Sequence, residues 1–257
     1  MEDIKGNGHN DPDKVSRNRT FDHFLQFLMT FLGVSLGFFA DNLREQWSDQ
    51  RAEVAYLVSL QDDLRQDTAK LNFSISRKAE KALRMDTLIR LLSGSALREE
   101  GGRIHLLLRL ATIREPFYVT EGTLRQLENA GGFRILQNRK LVGMINDYRS
   151  ACAKVAEIQA IRDDQSTQLK LAISRVADGK VLHSLQDFSR NPGDQYWLSL
   201  PKGDPALLSQ DAVAVNELIY WVSNENSLEG ILQRLHMELK TKAIDLMAVL
   251  SEELADK

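Results

Sequence analysis

The sequence predicts an all-α protein in which an N-terminal transmembrane helix continues into an antiparallel bundle of long amphipathic helices. Three observations support this fold class. Only 5 prolines and 15 glycines interrupt 257 residues, whereas the helix-forming residues Leu, Arg, Glu, Gln and Ala are abundant. An uncharged apolar run extends from Phe24 to Ala40. After this run, apolar residues recur at steps of three and four, which is the period of an amphipathic helix.

Composition excludes several classes of function. Apolar residues make up 43% of the chain, charged residues 27%, and the net charge is -3. Such a charge gives no general attraction to nucleic acid, so we expect no nucleic-acid partner. The single cysteine, Cys152, has no second thiol with which to form an internal disulfide or a zinc site.

The N-terminal region divides into a polar tail, residues 1–20, and an apolar segment, residues 21–42. The tail has almost no apolar side chains and is predicted to be disordered. As a helix, the roughly 17 residues from Phe24 to Ala40 span about 26 Å, and their neighbours extend this to a hydrocarbon core of ~30 Å. Apolar residues occupy every side of this helix, which favours a membrane span over a core helix with a polar face.

The same segment could also be a signal peptide that is cleaved. Cleavage needs small residues before the cut, but in "GFFA" Phe38 occupies a position that requires a small side chain. An uncleaved signal anchor is therefore the preferred interpretation. Four cations precede the span and two follow it: Lys5, Lys14, Arg17 and Arg19, then Arg44 and Arg51. The positive-inside rule keeps the tail in the cytoplasm and makes residues 43–257 an extracytoplasmic α-helical domain.

A long amphipathic helix is predicted after the span, followed by a break and a short helix. The apolar stripe of the long helix comprises Leu57, Leu60, Leu64, Leu71, Ile75, Ala82, Met85, Ile89 and Leu92. Glycines and polar residues from Ser93 to Gly102 end it, and the short helix then runs to the breaker Pro116. A turn back toward the membrane is implied.

The central segment predicts a short helix, a glycine corner and a longer helix. Thr120 is expected to cap the short helix, and Gly131 with Gly132 to stop it. Asn138 is expected to cap the longer helix. The longer helix has a seam for packing against other helices, which comprises Leu141, Ile145, Tyr148, Cys152 and Val155. Cys152 is thus expected to be a small buried apolar residue and not a nucleophile.

The helical period is lost over residues 177–211 and returns in the C-terminal third. In the first region, Tyr196, Trp197 and Leu198 are expected to anchor a proline-rich loop from beneath. The stripe of the C-terminal helix comprises Val215, Leu218, Val222, Leu228, Leu232, Leu235, Leu239, Leu246 and Val249. The stretch "SNENS", residues 223–227, could kink or divide this helix. Four principal helices with short connections favour an antiparallel bundle.

Two stretches give the chain a resemblance to a known group of proteins. They are "GVSLGFFADNLREQWSDQRAEVAYLVSLQDDL", residues 33–64, and "GTLRQLENAGGFRILQNRKLVGMINDY", residues 122–148. Together they resemble an uncharacterised bacterial family of single-pass inner-membrane proteins, in which an N-terminal transmembrane helix precedes a helical domain of unknown function. The resemblance implies a topology and a bacterial inner-membrane location, and it implies no activity.

No arrangement of residues in the sequence predicts an enzyme, a cofactor site or a metal site. The five histidines are scattered without a pair at helical spacing: His9, His23, His105, His183 and His236. Phosphate-binding glycine loops and nucleophile elbows are also missing from the sequence. We therefore expect a protein without a cofactor and without catalytic activity.

The nearest approach to a metal site is a set of four aspartates, Asp63, Asp67, Asp163 and Asp164. Their spacing faintly resembles the magnesium-binding aspartates of helical isoprenoid synthases, but the second pair is incomplete because Gln168 stands where an aspartate is needed. Arg65 and Arg162 lie nearby in the sequence. These residues are therefore interpreted as a solvated charged face.

Three functional interpretations stay open. In the first, the protein is a membrane-anchored interaction or scaffold module whose partners are the lipid bilayer and either another protein or a second copy of the chain. Gly33 and Gly37 support it, because a small-xxx-small pair lets two transmembrane helices approach closely. In the second, the extracytoplasmic domain senses a ligand and signals through a partner. In the third, a soluble helical protein holds residues 24–40 in its core.

Overall fold

The computed structural model describes residues 12–129, 132–186 and 197–257, with side chains described from Phe21 onward except at Ala96 and Gly132. Six α-helices make up most of this part of the chain: α1 (Pro12–Ser93), α2 (Gly101–Ala111), α3 (Gly122–Asn129), α4 (Arg139–Val176), α5 (Gly179–Ser184) and α6 (Ala212–Ala255). Short 3-10 helices lie at Ser95–Arg98 and Gly132–Arg134, and an isolated antiparallel bridge joins Gln186 and Leu198. The predicted all-α class is confirmed.

Helix α1 begins at Pro12, inside the segment predicted to be a disordered tail. Proline suits the first turn of a helix, where an N–H group would have no intrahelical partner. Once started, a helix gains one hydrogen bond for each residue it adds, so the polar residues that follow continue it. The part of the predicted tail before Pro12 lies outside the described residues.

The chain divides into two compact units, Met1–Ala55 and Tyr56–Lys257. In the first unit, every side chain from Phe21 to Asn42 is exposed. Helix α1 contains here an 18-residue window, none of it buried, with a mean hydropathy of 1.6. It is therefore long and apolar enough to cross a membrane. The exposure of residues 24–40 contradicts the interpretation that places them in the core of a soluble protein.

The second unit is built on three long helices, namely α1 from Tyr56 onward, α4 and α6. Each has a seam of buried or half-buried residues in which steps of three and four alternate throughout, as in a coiled coil. In α1 the seam comprises Leu57, Leu60, Leu64, Asp67, Leu71, Ser74, Lys78, Lys81, Met85, Leu88 and Leu92. In α4 it comprises Leu141, Ile145, Tyr148, Cys152, Val155, Gln159, Arg162, Ser166, Leu169, Ile173 and Val176. In α6 it comprises Val215, Leu218, Val222, Glu225, Glu229, Leu232, His236, Leu239, Ala243, Leu246 and Leu250.

Helix α6 runs antiparallel to both α1 and α4. Contacts at successive levels show this direction: Gln61 with Ser251, Ser74 with His236 and Asp86 with Asn226 for α1; Asn138 with Glu253, Arg162 with Glu229 and Arg175 with Glu217 for α4. Helices α1 and α4 therefore run in the same direction, because residues 94–138 return the chain from one end of the bundle to the other. Within the described residues, the bundle thus has three principal helices, and a long connection, residues 94–138, joins α1 to α4. Four helices with short connections were predicted.

The ends of α4 and α3 are stabilised in different ways. Asn138 caps α4 as predicted, because its side chain accepts a hydrogen bond from the Leu141 N–H at 3.1 Å. Thr120 does not cap α3. The carboxylate of Asp63 on α1 instead accepts the Thr123 N–H in the first turn of α3, at 3.1 Å. Of the predicted glycine corner, Gly131 lies outside the described residues.

The structure corrects two predictions for the C-terminal half, one in full and one in part. Helix α6 continues without a break through residues 223–227, because its seam passes through Glu225 and Glu229. The predicted stripe skips this stretch because it follows apolar residues alone. Of the three residues predicted to anchor the loop, Tyr196 lies outside the described residues, Leu198 is half-buried and forms the bridge with Gln186, and Trp197 is exposed. The prediction is therefore wrong for Trp197.

Polar seam residues divide the core into two apolar clusters. One cluster lies around Leu64, Ile145 and Leu239, and the other around Leu88 and Leu218. Between them, the seams of the three long helices contribute Ser74, Lys78 and Lys81 from α1, Gln159, Arg162 and Ser166 from α4, and Glu225, Glu229 and His236 from α6.

Candidate functional site

Five charged side chains meet in the middle of the bundle, and we refer to them as the charged layer: Lys78, Lys81, Arg162, Glu225 and Glu229. Four of them are almost completely buried, since Arg162 is 0% exposed, Glu229 is 2% exposed, and Lys78 and Glu225 are each 3% exposed. Charged residues are almost never buried to this extent unless they are paired. The contacts within the layer therefore decide whether it stabilises the fold.

Glu229 is the centre of the charged layer. Its Oε2 atom lies 2.7 Å from Lys78 Nζ, and its Oε1 atom lies 2.7 Å from Lys81 Nζ and 3.3 Å from Arg162 Nη1. Lys81 also contacts Glu225 Oε1 at 2.9 Å. One carboxylate of α6 therefore holds cations from both of the other long helices.

The network determines the charge state of its members. Burial by itself would raise the pKa of Glu229, but Lys81 and Lys78 together outweigh it and hold this pKa at about 2. Burial lowers the pKa of Lys78, and the ion pair with Glu229 opposes that shift only in part. Glu229 is consequently ionised at neutral pH, where it can hold all three cations.

His236 lies in the seam of α6 next to the charged layer. Its Nδ1 atom is 3.0 Å from Ser74 Oγ, and its ring centroid is 5.4 Å from that of Phe117. Burial, and then the charge of Lys78, lowers the pKa of His236 to about 4, so its ring is neutral at neutral pH. The Nε2 atom is buried, and within the described chain it has no hydrogen-bond partner.

An extended segment, residues 113–121, packs along α1 on its way back from α2. Gln159 of α4 binds its main chain from inside: the side-chain oxygen accepts the Phe117 N–H at 2.7 Å, and the amide nitrogen donates to the Phe117 carbonyl at 3.1 Å. These two bonds satisfy main-chain groups that would otherwise be buried without partners. Phe117 is thereby held against His236.

Asp67 is a further buried carboxylate, and its burial contradicts the solvated face predicted for the aspartates. It accepts hydrogen bonds from the N–H and the hydroxyl of Thr120, at 2.9 and 2.6 Å, and from the hydroxyl of Tyr148 at 2.8 Å. Burial, followed by the neighbouring Cys152 and Asp67, raises the pKa of Tyr148 above its ordinary range. Asp67 therefore joins α1, α4 and the extended segment.

The other residues of the predicted charged face have separate surroundings. Arg162 is buried in the charged layer, while Asp163 is half-buried and pairs with Arg162 and Arg114, at 3.0 and 3.1 Å. Asp164 and Arg65 are exposed, as predicted. The prediction is thus wrong for the two residues that fall on seam positions, Asp67 and Arg162.

The residues predicted to pack transmembrane helices, Gly33 and Gly37, are exposed in α1. Apart from the adjacent residues and the neighbouring backbone of the same helix, no described atom lies within 4 Å of the position where either would carry a Cβ. This face is therefore open to another helix, and its role stays a prediction. Cys152, by contrast, is half-buried against the first apolar cluster, and burial raises the pKa of its thiol to about 12.

Among the described residues, no group of three or more His, Cys, Asp or Glu side chains could hold a metal ion. His105 is buried, but both of its ring nitrogens are engaged. Its Nε2 accepts the Asp178 N–H at 3.0 Å, so its Nδ1 carries the proton and donates to the Gly101 carbonyl at 2.6 Å.

Among the cavities in the described part of the chain, three lie beside these features and bear on the argument. One of about 10 Å³ lies beside Lys78 and Lys81 and has room for one water molecule. A groove of about 560 Å³ lies between α3 and α4 and is lined by residues that include Leu124 and Ala153. A cleft of about 400 Å³ lies between α1 and the extended segment.

The sequence-based prediction missed four of the five members of the charged layer and placed Arg162 at the surface. The signal that identifies them is the alternation of three and four when it is followed through polar residues. From Leu71, for example, it continues through Ser74, Lys78 and Lys81 to Met85.

Fold and site together define the class of this protein: it is all-α, with a three-helix bundle around a buried network of ion pairs and a first helix able to cross a membrane. The chain matches no protein-family model, no curated protein and no solved structure. Its function is therefore inferred from its own residues.

Proposed function

We propose that this chain is a single-pass protein of the bacterial inner membrane, with its N-terminus in the cytoplasm, and that its helical domain is a non-catalytic interaction or scaffold module. The observation that carries the proposal is the exposed apolar segment of α1, residues 21–42, with its window of mean hydropathy 1.6. Soluble monomers rarely expose a continuous apolar surface of this kind. Lipid, or another apolar helix within lipid, is the natural cover for it.

The interior of the bundle supports a role at the surface of the domain. Two apolar clusters and the charged layer fill the core, and the cavity beside the layer holds about 10 Å³. A drug-sized ligand needs roughly 300 Å³ or more. Such a ligand would therefore bind outside the bundle, in a groove or at an interface.

Reporter fusions after Lys257 test the topology. More cations precede residues 21–42 than follow them, which supports a C-terminal domain outside the cytoplasm by the positive-inside rule. We expect activity from a reporter that functions only in the periplasm and none from one that functions only in the cytoplasm. The opposite pattern contradicts the proposed orientation, and recovery of the full chain without detergent contradicts the membrane anchor itself.

A pair of substitutions tests self-association through α1. Gly33→Leu and Gly37→Leu would place bulky side chains on a face that is open in the single chain, and we expect them to lower dimerisation in membranes at least about fivefold. Ser35→Leu is the matched control, because Ser35 lies about 200° around the helix from Gly33. Equal dimerisation in all variants would show that this face does not pack against a second copy.

The groove of about 560 Å³ between α3 and α4 favours one alternative, in which the domain senses a ligand and signals through a partner. Ala153 lies exposed in this groove, so Ala153→Trp would fill it without disturbing the core. Purification from native membranes, with identification of bound small molecules and proteins, separates the two roles. A small molecule retained by the wild type and lost from Ala153→Trp would replace the scaffold role with the sensing role.

A further inference from the structure

The small cavity beside the charged layer has a lining in which cations outnumber carboxylates. Its volume is about 10 Å³, which is the space of one water molecule. Its charged lining comprises four cations and two carboxylates, namely Arg77, Lys78, Lys81, Arg84, Glu115 and Glu229. Arg77, Arg84 and Glu115 are only half-buried, so a small ion can reach the cavity from solvent. The cavity therefore combines a positive lining with room for a single small particle.

The charged layer contains one cation more than it contains carboxylates. Lys78, Lys81 and Arg162 face only Glu225 and Glu229. The ion pairs around the layer do not remove this excess, because they add as many cations as carboxylates: Arg77, Arg84 and Arg114 with Glu80, Glu115 and Asp163. A buried charge without a counter-charge is unfavourable. The layer therefore lacks one negative charge.

Lys78 is the buried cation of the layer that has hydrogen-bond donors to spare. Its ammonium group carries three protons, but the described residues accept only one hydrogen bond from it, at Glu229 Oε2 and 2.7 Å. Lys81, by contrast, donates to the Ile113 carbonyl, Glu225 and Glu229, at 3.1, 2.9 and 2.7 Å. Because Lys78 is 3% exposed, bulk water has little access to its other two protons. An almost completely buried ammonium group thus borders the cavity with unused donors.

The charge state of Lys78 reflects the same excess of positive charge. Burial lowers the pKa of Lys78, the pair with Glu229 opposes this shift, and the charges of Arg162 and Lys81 add to it. An anion beside Lys78 would act in the opposite direction and favour the ammonium form. Glu229 cannot supply the missing charge, because it already contacts all three cations of the layer.

We propose that the cavity beside Lys78 binds one chloride ion, which accepts hydrogen bonds from Lys78 Nζ and completes the charge balance of the layer. The volume selects this class of ligand, since a halide ion is only slightly larger than a water molecule, whereas phosphate, sulfate and carboxylate groups need more space. A water molecule also fits, but it carries no net charge and would leave the excess in place. The ion makes the stability of the bundle depend on chloride concentration. This inference goes beyond the proposed function and depends neither on membrane topology nor on a partner.

The test uses the full chain in micelles of a non-ionic detergent and follows the chlorine nuclear magnetic resonance line of added chloride. Exchange of chloride with a site on the protein broadens this line. We expect the wild type to broaden it, bromide to reverse the broadening by competition, and methanesulfonate, which has the same charge but is too large for the cavity, to leave it unchanged. Absence of broadening, or reversal by methanesulfonate as well, overturns the proposal, because a water molecule or surface cations would then explain the cavity.

Two substitutions in the charged layer are expected to act in opposite directions. Lys78→Met removes both the donor and the excess charge while Glu229 keeps Lys81 and Arg162, so the broadening is expected to disappear. Glu225→Gln adds one further positive charge to the layer and is expected to tighten chloride binding at least about tenfold. Glu238→Gln, which removes the same charge from an exposed position of α6, is the control and is expected to change nothing. Broadening that persists in Lys78→Met, or an unchanged affinity in Glu225→Gln, overturns the proposal.

A stability measurement gives an independent readout. Urea unfolding of the full chain is compared in sodium chloride and sodium methanesulfonate at equal ionic strength, so that general screening by salt is the same. We expect the wild type to need more urea in chloride, because the ion binds the folded chain, and Lys78→Met to unfold equally in both salts. Equal unfolding of the wild type in the two salts contradicts the proposal.

Discussion

Glu229→Gln keeps the shape of the central side chain of the charged layer and removes its charge. In this variant Lys78 and Arg162, which are almost completely buried, lose the carboxylate that they share. Lys78 can respond by losing its proton, but a guanidinium group cannot. Arg162 then keeps only its contact with Asp163, which is half exposed. Removing one partner of a buried ion pair costs about 3 to 5 kcal/mol, and we expect a loss of this size.

The free energy of unfolding is measured by urea titration of the full chain in detergent micelles, followed by far-ultraviolet circular dichroism. Glu238→Gln is the matched control, because Glu238 is an exposed residue of the same helix. Its effect is expected to stay within about 0.5 kcal/mol. A Glu229→Gln variant that also stays within about 0.5 kcal/mol of the wild type would refute the reasoning, since Lys78 and Arg162 would then need no counter-charge from residue 229.

Three further predictions concern stability at low pH, the substitution Gly101→Ala and the substitution Gly143→Ala. The pKa of His236 is lowered from 6.5 to about 4, so as the pH falls this residue is protonated in the unfolded chain before it is protonated in the folded chain. The free energy of unfolding is therefore expected to fall by up to roughly 3 kcal/mol between pH 6.5 and about 4. His236→Gln should remove this step from the pH dependence of unfolding. The lowered pKa of Glu229 adds a second loss between pH 4.5 and about 2. Gly101→Ala would place a Cβ 2.2 Å from the Pro205 carbonyl oxygen and is expected to cost about 1 to 3 kcal/mol. At Gly143 an added Cβ would meet no described atom within 4 Å outside the neighbouring residues of its own helix, so Gly143→Ala is expected to stabilise α4 by about 0.5 to 1 kcal/mol. Equal effects of the two substitutions would contradict this distinction.

Much of the fold could be predicted because it depends on local spacing. The seam from Leu141 to Val155 and the cap at Asn138 need only neighbouring residues, and both were predicted correctly. The parallel direction of α1 and α4 could not be predicted, because it depends on how the extended segment binds Asp67 and Gln159. No local period encodes contacts between residues so far apart in the sequence.

The candidate site was missed for a physical reason. Lys78, Arg162 and Glu229 each look like surface residues when they are considered alone, because burial of an isolated charge is very unfavourable. Their burial becomes favourable only when all three helices meet and the charges compensate one another. Each charged residue, considered alone in the sequence, is expected to be exposed. The pairing of the charges can be recognised only if the seam of each helix is followed through its polar positions.

The charged layer also restricts how the three helices can align. Apolar seams tolerate a shift of one heptad, since one leucine replaces another at the same kind of position. If α6 moved by seven residues along α1, Glu229 would lie at the level of Leu71 or Met85 instead of Lys78. Its carboxylate would then be buried without a partner, while Lys78 and Arg162 would lose theirs. Each of these losses is unfavourable by several kcal/mol, so the network disfavours the shifted alignments that the two apolar clusters alone would permit.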